Sequence, residues 1–202
     1  MDQSAKPDTG EAAWLEAAHE VLTESGVEAV KVMALAQKLG LTRTSFYWHF
    51  KDRDALLDAI VQRWERKNTG NLAARAEAYA ESIVEAVFNL FDCWLDNNLF
   101  DAQLDNAIRN WARNDAGLKR RLDAADRVRE EAVVAMFRRF GYGEGQARSR
   151  ALTIMYTQVG YIAMAIEESR ETRIANMPDY VEVFTGVTPS AADVERFTSR
   201  HL

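Results

Sequence analysis

The stretch Thr42-Arg43-Thr44-Ser45-Phe46-Tyr47-Trp48-His49-Phe50 carries the groups best suited to recognition chemistry in this chain. Thr42 is placed to cap a short helix whose first turn holds Arg43, Thr44 and Ser45. A guanidinium beside two hydroxyls is hydrogen-bonding equipment, and arginine can pair with guanine O6 and N7 in a DNA major groove. Phe46 and Phe50 stand four apart, share one face, and are read as core anchors. An apolar inner face below a small polar N-terminus is what a helix needs to enter a groove. Arg43 and Thr44 are therefore assigned to base edges, with Ser45 and Trp48 as further candidates. For Trp48, packing on a neighbouring helix stays open beside DNA contact.

Other constellations carry less. Glu16-Ala17-Ala18-His19 has the Glu-x-x-His spacing of di-iron bundles, which need the motif twice and two further glutamates. Only His19, His49 and His201 occur and the motif is not repeated, so no metal site is expected. No serine-histidine-acid set assembles with any specificity. Cys93, the single cysteine, excludes an internal disulfide framework and reads as a small core residue beside Trp94. Gly141-Tyr142-Gly143-Glu144-Gly145 lacks the lysine and the preceding strand of a phosphate loop, so it reads as a turn. The chain is read as a non-enzyme without cofactors.

The elements that must position Arg43 follow from periodicity. The 202 residues are 48% apolar with three prolines and ten glycines, which favours an all-α protein. Residues 1–10 read as a disordered tail, with Asp8 and Glu11 spaced to cap a first helix bearing Trp14, Ala17, Ala18, Val21 and Leu22. A second helix starts at Val32, buries Val32, Leu35, Ala36 and Leu39, and stops at Gly40. Leu41-Thr42 completes a turn of helix-turn-helix length. Asp52 caps a fourth helix with Leu56, Leu57, Ile60, Val61 and Trp64 on one face.

Lys67 to Leu72 reads as a joint, dividing residues 11–66 from a helical body over 67–202. In the body, Tyr79, Ile83, Val87, Leu90, Phe91 and Trp94 form one apolar side, and Asp101 caps a helix with Leu104, Ile108 and Trp111. Asn114-Asp115 start another helix, carrying Leu118, Leu122, Ala125, Val128, Ala132, Met136 and Phe140. Ala151 to Ile166 is apolar nearly all round, yet too short and too polar at its middle for a bilayer. Such a helix needs cover on every face, either as a central helix buried within one monomer or, the reading preferred, by a second copy of the chain. After Met177-Pro178 the chain reads as less regular, and Thr188-Pro189 opens a last helix to about Arg200. The polar N-terminus and lone cysteine suit a cytoplasmic setting.

The formal charge of −6 is the wrong sign for coating nucleic acid without specificity. Between Lys31 and Arg53, however, five cations face one acid, Asp52, a local balance of +4.

With the elements in order, residues 11–64 resemble the DNA-binding domain of the TetR family of transcriptional regulators. The residues carrying the resemblance are Ala17, Leu22, Gly26, Val32, Leu35, Ala36, Gly40, Leu41, Thr42, Phe46, Tyr47, His49, Phe50, Arg53, Leu56 and Leu57. It implies a helix-turn-helix domain followed by a larger helical ligand-binding and dimerisation bundle. It implies phosphate contacts from Tyr47, His49, Lys51 and Arg53, with Thr42 a cap first and a phosphate contact second. For His49, a bond within the domain stays open beside the phosphate contact. Two positions depart from the family pattern: Lys31 stands where Thr or Ser is usual, and Arg53 where Lys is usual. Lysine cannot cap a helix N-terminus, so Lys31 is assigned to phosphate as a point charge.

The same resemblance implies a ligand-responsive repressor that binds a palindromic double-stranded operator as a homodimer, chiefly through 151–166 and 189–200. A small apolar or amphipathic effector would sit among Phe88, Phe91, Trp94, Trp111, Met136, Met155 and Tyr156, with Asn110 or Gln158 as polar anchors, although for each residue taken singly plain core is the favoured reading. The competing reading is a helical small-molecule carrier or enzyme with a vestigial helix-turn-helix. It would need a reactive constellation within 73–202, and none is evident there.

Overall fold

The computed structural model describes residues 10–201, and within them the regular elements are helical. The expected tail and the Asp8 cap lie at or beyond the edge of the described residues. Helix α1 (Glu11–Ser25) ends at Gly26, whose φ of 79° suits a residue without a Cβ. A 3-10 turn (Val27–Ala29) leads to α2 (Val32–Leu39), closed by Gly40 in the left-handed region. Helix α3 is short, Arg43–Phe46, with a hydrogen-bonded turn continuing to His49. Thr42 caps it, Oγ1 accepting from Ser45 N at 3.2 Å. Asp52 caps α4 (Arg53–Trp64) by accepting from Ala55 N at 2.8 Å.

The chain does not break at 67–72. Glu65–Gly70 continues α4 with wider π turns and passes directly into α5 (Asn71–Glu77), so the expected joint lies inside helical backbone. Its asparagines and threonine suggested a loop because they favour turns. Here Asn68 and Thr69 are buried, and Asn68 exchanges two 2.9 Å hydrogen bonds with the Asp101 backbone. Asn71 donates to Leu99 O at 2.8 Å. Long-range bonds therefore offset the local preference. The break falls later, before α6 (Ile83–Leu95), and it leaves Tyr79 outside the helix and exposed rather than on the apolar side.

Helices α7 (Ala102–Ala112) and α8 (Ala116–Arg139) start at their Asp101 and Asp115 caps. Val128 is exposed, correcting its place in the inner stripe of α8. That face moves to Arg129, Val133 and Phe137, because 3.6 residues per turn carry a long stripe sideways. Helix α9 (Glu144–Ala163) begins within the glycine-rich segment and stops before Ile166. Helix α10 (Arg170–Thr185) runs through Pro178, where irregular chain was expected. An interior proline costs a helix ~3 kcal/mol. Burial of Ile174, Met177, Val181 and Phe184, with a Ser169 cap, offsets that cost. Helix α11 (Ala191–His201) is capped by Ser190 through a reciprocal pair with Asp193 rather than by Thr188.

Two cores result. One holds the inner faces of α1 to α4 and also takes in Leu104, Ile108, Ala112, Leu118, Leu122 and Ala125 from α7 and α8. The other is built on α6, with α5, the distal half of α8, α9, α10 and α11 around it. Cys93 lies fully buried here, and burial pushes its thiol up to about 12, which suits a packing residue and not a nucleophile.

Polar ties fasten the N-terminal helices to the body. His19 donates through Nε2 to Asp101 Oδ2 at 2.8 Å, while Glu16 of the same Glu-x-x-His segment accepts from Arg63 at 2.9 Å. Burial alone would raise the Asp101 pKa. The bonds from His19 and Leu104 N–H, with the nearby Lys67 charge, outweigh that and hold the carboxyl below its ordinary value. A depressed folded-state pKa stabilises above the unfolded value and loses that contribution as pH falls through the folded one. Wild-type protein is accordingly expected to lose more stability between about pH 5 and about pH 3 than Asp101→Asn. Urea unfolding at both pH values measures it; equal losses would refute the assignment.

Candidate nucleic-acid interface and effector cleft

Phe46 is the pivot of the reading turn. It is fully buried, meets Trp14 edge-on at 5.2 Å and stacks with Phe50 at 5.6 Å. That anchorage turns Arg43 and Thr44 outward, and both are exposed. The Ser45 hydroxyl is already engaged, donating to Thr42 O at 2.7 Å. Arg43 lies against Tyr47, donating to its hydroxyl from Nη2 at 3.0 Å and Nε at 3.3 Å. Tyr47 is half-exposed and Trp48 is 77% exposed, so packing of Trp48 on a neighbouring helix is not what the fold does with it. His49 is partly buried, and Lys51 is exposed.

The cations sort differently from their sequence grouping. Arg53 is turned inward, donating at 2.6 Å both to Val30 O and to Val27 O. It braces the 3-10 turn ahead of α2 through Nε and Nη2, a tie within the domain that was not expected of it. Its fork satisfies two carbonyls at once, which a lysine could not do with the same geometry. Lys38 pairs with Glu20 at 2.9 Å. Among the described residues, Lys31, Arg43 and Lys51 have no carboxylate within ion-pair distance. Lys31 occupies the N-cap of α2 without a side-chain bond to it, as expected of lysine. Met33, in the first turn of α2 next to Lys31, is 63% exposed. The signal for it was its position off the Val32–Leu35–Ala36–Leu39 stripe.

The sequence of this same region matches a known family model: residues 15–60 fit the one described as bacterial regulatory proteins, tetR family. Residues 15–60 are thus of the TetR type. The tetracycline repressor protein class A from transposon 1721 of Escherichia coli is 29% identical over 148 residues, 73% of this chain. The class D tetracycline repressor of Escherichia coli is 39% identical over 66 residues, 32% of this chain. These alignments span 63% and 30% of the relatives' own lengths. The fold continues beyond the TetR-type domain. A transcriptional regulator (TerR/AcrR family) from Aquifex aeolicus VF5 superposes with a TM-score of 0.64 at 13% identity, over 87% of this chain and 95% of that one. A regulator from Rhodococcus sp. Rha1 gives 0.60 at 18% identity, over 94% and 96%. At such identities the likeness is one of fold alone.

Behind the TetR-type domain, α6, α9 and α10 line a mostly apolar, partly open cleft of about 50 Å³. Of the residues proposed from sequence, Phe91, Trp94 and Gln158 line it. The others go elsewhere. Phe88 stacks on Phe197 at 4.3 Å and Met136 is plain core. Asn110 and Trp111 border a polar cleft against the N-terminal helices. Tyr156 is 68% exposed on the outer face of α9. Met155 borders a smaller cavity that shares Trp94 and Gln158 with the first. Tyr161, Tyr180 and Phe184 complete the main cleft and were missed, the last two because Pro178 masked the helical stripe of α10. Tyr161 donates to Glu168 at 2.7 Å under the Arg173 guanidinium; burial, and then this bond, raises its pKa.

Proposed function

We propose that this protein is a sequence-specific DNA-binding repressor that acts as a homodimer on a roughly palindromic operator and releases it on binding a small apolar or amphipathic effector. The observation that carries the reading is the outward set of Arg43, Thr44, Tyr47 and Trp48 above the buried Phe46, in a TetR-type domain. Arg43 and Thr44 read base edges, while Lys31, Thr42, Tyr47, His49 and Lys51 hold phosphate. Two copies are needed because one turn of helix covers only a few base pairs; half-site centres would lie about 35 Å apart. The exposed apolar side chains that a second copy would cover, Tyr156, Met164, Ile166, Tyr180, Val183 and Val187, sit on α9, α10 and the segments that follow each. Helix α11 turns Phe197 inward onto Phe88, so segment 189–200 contributes less to that face than its sequence suggests. The α6–α9–α10 cleft, flanked by this face, is the proposed effector site.

Selection from random double-stranded DNA tests the reading. A two-fold-symmetric site with half-site centres about one helical turn or slightly more apart is expected. Recovery of sequences without symmetry, or no enrichment at low salt, would remove the repressor assignment.

A further inference from the structure

The polar cluster beneath the cleft leaves two donors over. Asp105 accepts from Trp64 Nε1 at 2.8 Å, Arg109 Nε at 2.8 Å and Arg129 Nη1 at 3.0 Å. Arg129 spends its Nε on Thr69 Oγ1 at 2.9 Å. Its remaining nitrogen, Nη2, has no hydrogen-bond partner among the described residues, although Arg129 is only 2% exposed. Trp94 is 9% exposed, and its Nε1 is likewise buried and without a partner. Both residues border the same cavity of about 10 Å³, room for a single small atom such as one oxygen, which shares Trp94 and Gln158 with the effector cleft. A buried donor without an acceptor is costly, and two on one cavity mark a place where an acceptor belongs.

The charge state of that acceptor follows from the neighbours. Arg129 and Arg109 already face Asp105 and Asp126, the latter held by Arg109 at 2.7 and 2.8 Å. Two cations meet two carboxylates, so a third carboxylate would bury an unbalanced charge. A neutral oxygen satisfies both N–H groups without that cost.

We infer that the effector is a neutral amphipathic molecule with an aromatic or alkyl body in the α6–α9–α10 cleft and a ketone- or ester-type carbonyl oxygen received by Arg129 Nη2 and Trp94 Nε1. This rests on the reading of that cleft as the effector site. The carbonyl joins a network already shared with the helix that carries the reading domain, since Thr69 and Trp64 belong to α4 and its π continuation.

Three matched probes test the inference by calorimetry on the full chain: butylbenzene, butyrophenone and 4-phenylbutanoate. Butyrophenone replaces one methylene of butylbenzene with a carbonyl and should bind about tenfold tighter or more, with 4-phenylbutanoate no better than the hydrocarbon. Arg129→Lys keeps a positive charge toward Asp105 and removes the second amino group of the fork. Trp94→Phe deletes the indole N–H while keeping an aromatic ring, and carries the test alone should the lysine variant not fold. Each removes one of the two donors and should lower the ketone-to-hydrocarbon ratio severalfold. Hydrocarbon binding without a ketone preference, a preference for the carboxylate, or a ketone preference untouched in both variants would overturn the inference while leaving the cleft in place. No binding of any probe would overturn it together with the cleft as effector site.

Discussion

Asp105→Ala is expected to lower the unfolding free energy by about 3–5 kcal/mol, the range for removing one partner of a buried ion pair. Asp105 is 1% exposed and is the common acceptor for Trp64, Arg109 and Arg129. Burial on its own would push its carboxyl pKa up; the Arg129 and Arg109 charges and the Trp64 bond outweigh that and hold it low. Without it the buried Arg129 guanidinium keeps its bond to Thr69 and only a 3.5 Å approach to Asp126. The loss should therefore exceed the value of a single hydrogen bond to a charged group, about 1.5–3 kcal/mol, because it includes the desolvation of a stranded cation. Asp126→Ala, at a partly exposed carboxylate, is the control and should cost much less. Equilibrium urea unfolding measures both. A cost below about 1 kcal/mol for Asp105→Ala would mean that water replaces the carboxylate and that the cluster is not structurally central.

Arg43→Ala is expected to weaken binding to the selected operator by about 1–3 kcal/mol per half-site, and to relax base preference at one position in each. Lys51→Ala should weaken all sequences alike and make the salt dependence shallower, as loss of a phosphate contact does. The pair separates reading from holding. Gel-shift titrations on the selected site and on single-base variants would resolve them. Undiminished affinity in Arg43→Ala would transfer the reading role to other groups of the surface, with Trp48 and Thr44 next in line. In the free protein Arg43 rests on the Tyr47 hydroxyl, so reaching a base means exchanging those bonds or carrying Tyr47 along. Arg53→Lys should behave differently from both. It strips one of two carbonyls at the base of α2 of its donor, and it therefore perturbs the position of α2 more than its charge.

Much of the reading domain was legible in the sequence because its signals are local. Thr42, Asp52, Asp101 and Asp115 each cap the helix expected of them, since a cap bond spans only three residues. Phe46 and Phe50, four apart on one turn, are buried together as their spacing requires. The same locality explains the stop at Gly40 and the TetR-type pattern itself, which is a register of such signals over 15–60.

What the sequence could not settle lies where partners are remote. Arg53 looked like a surface cation until the fold brought the carbonyls of Val27 and Val30 to it, more than twenty residues away in the chain. Asn68 and Thr69 looked like a loop until Asp101 and Arg129 were placed beside them. Arg129 itself, on a helix rich in charged residues, carries nothing in its neighbourhood of sequence to mark it as buried. The aromatic residues of the body divide in the same way: Phe88 went to core, Tyr156 to the surface and Phe91 to the cleft, from stripes alike in composition. Short-range hydrogen bonding and helical period thus determined the reading head of this protein from its sequence alone. Only the packing of α6, α8, α9 and α10 decided which groups the proposed effector cleft presents, because burial and pairing there depend on contacts that no local pattern encodes.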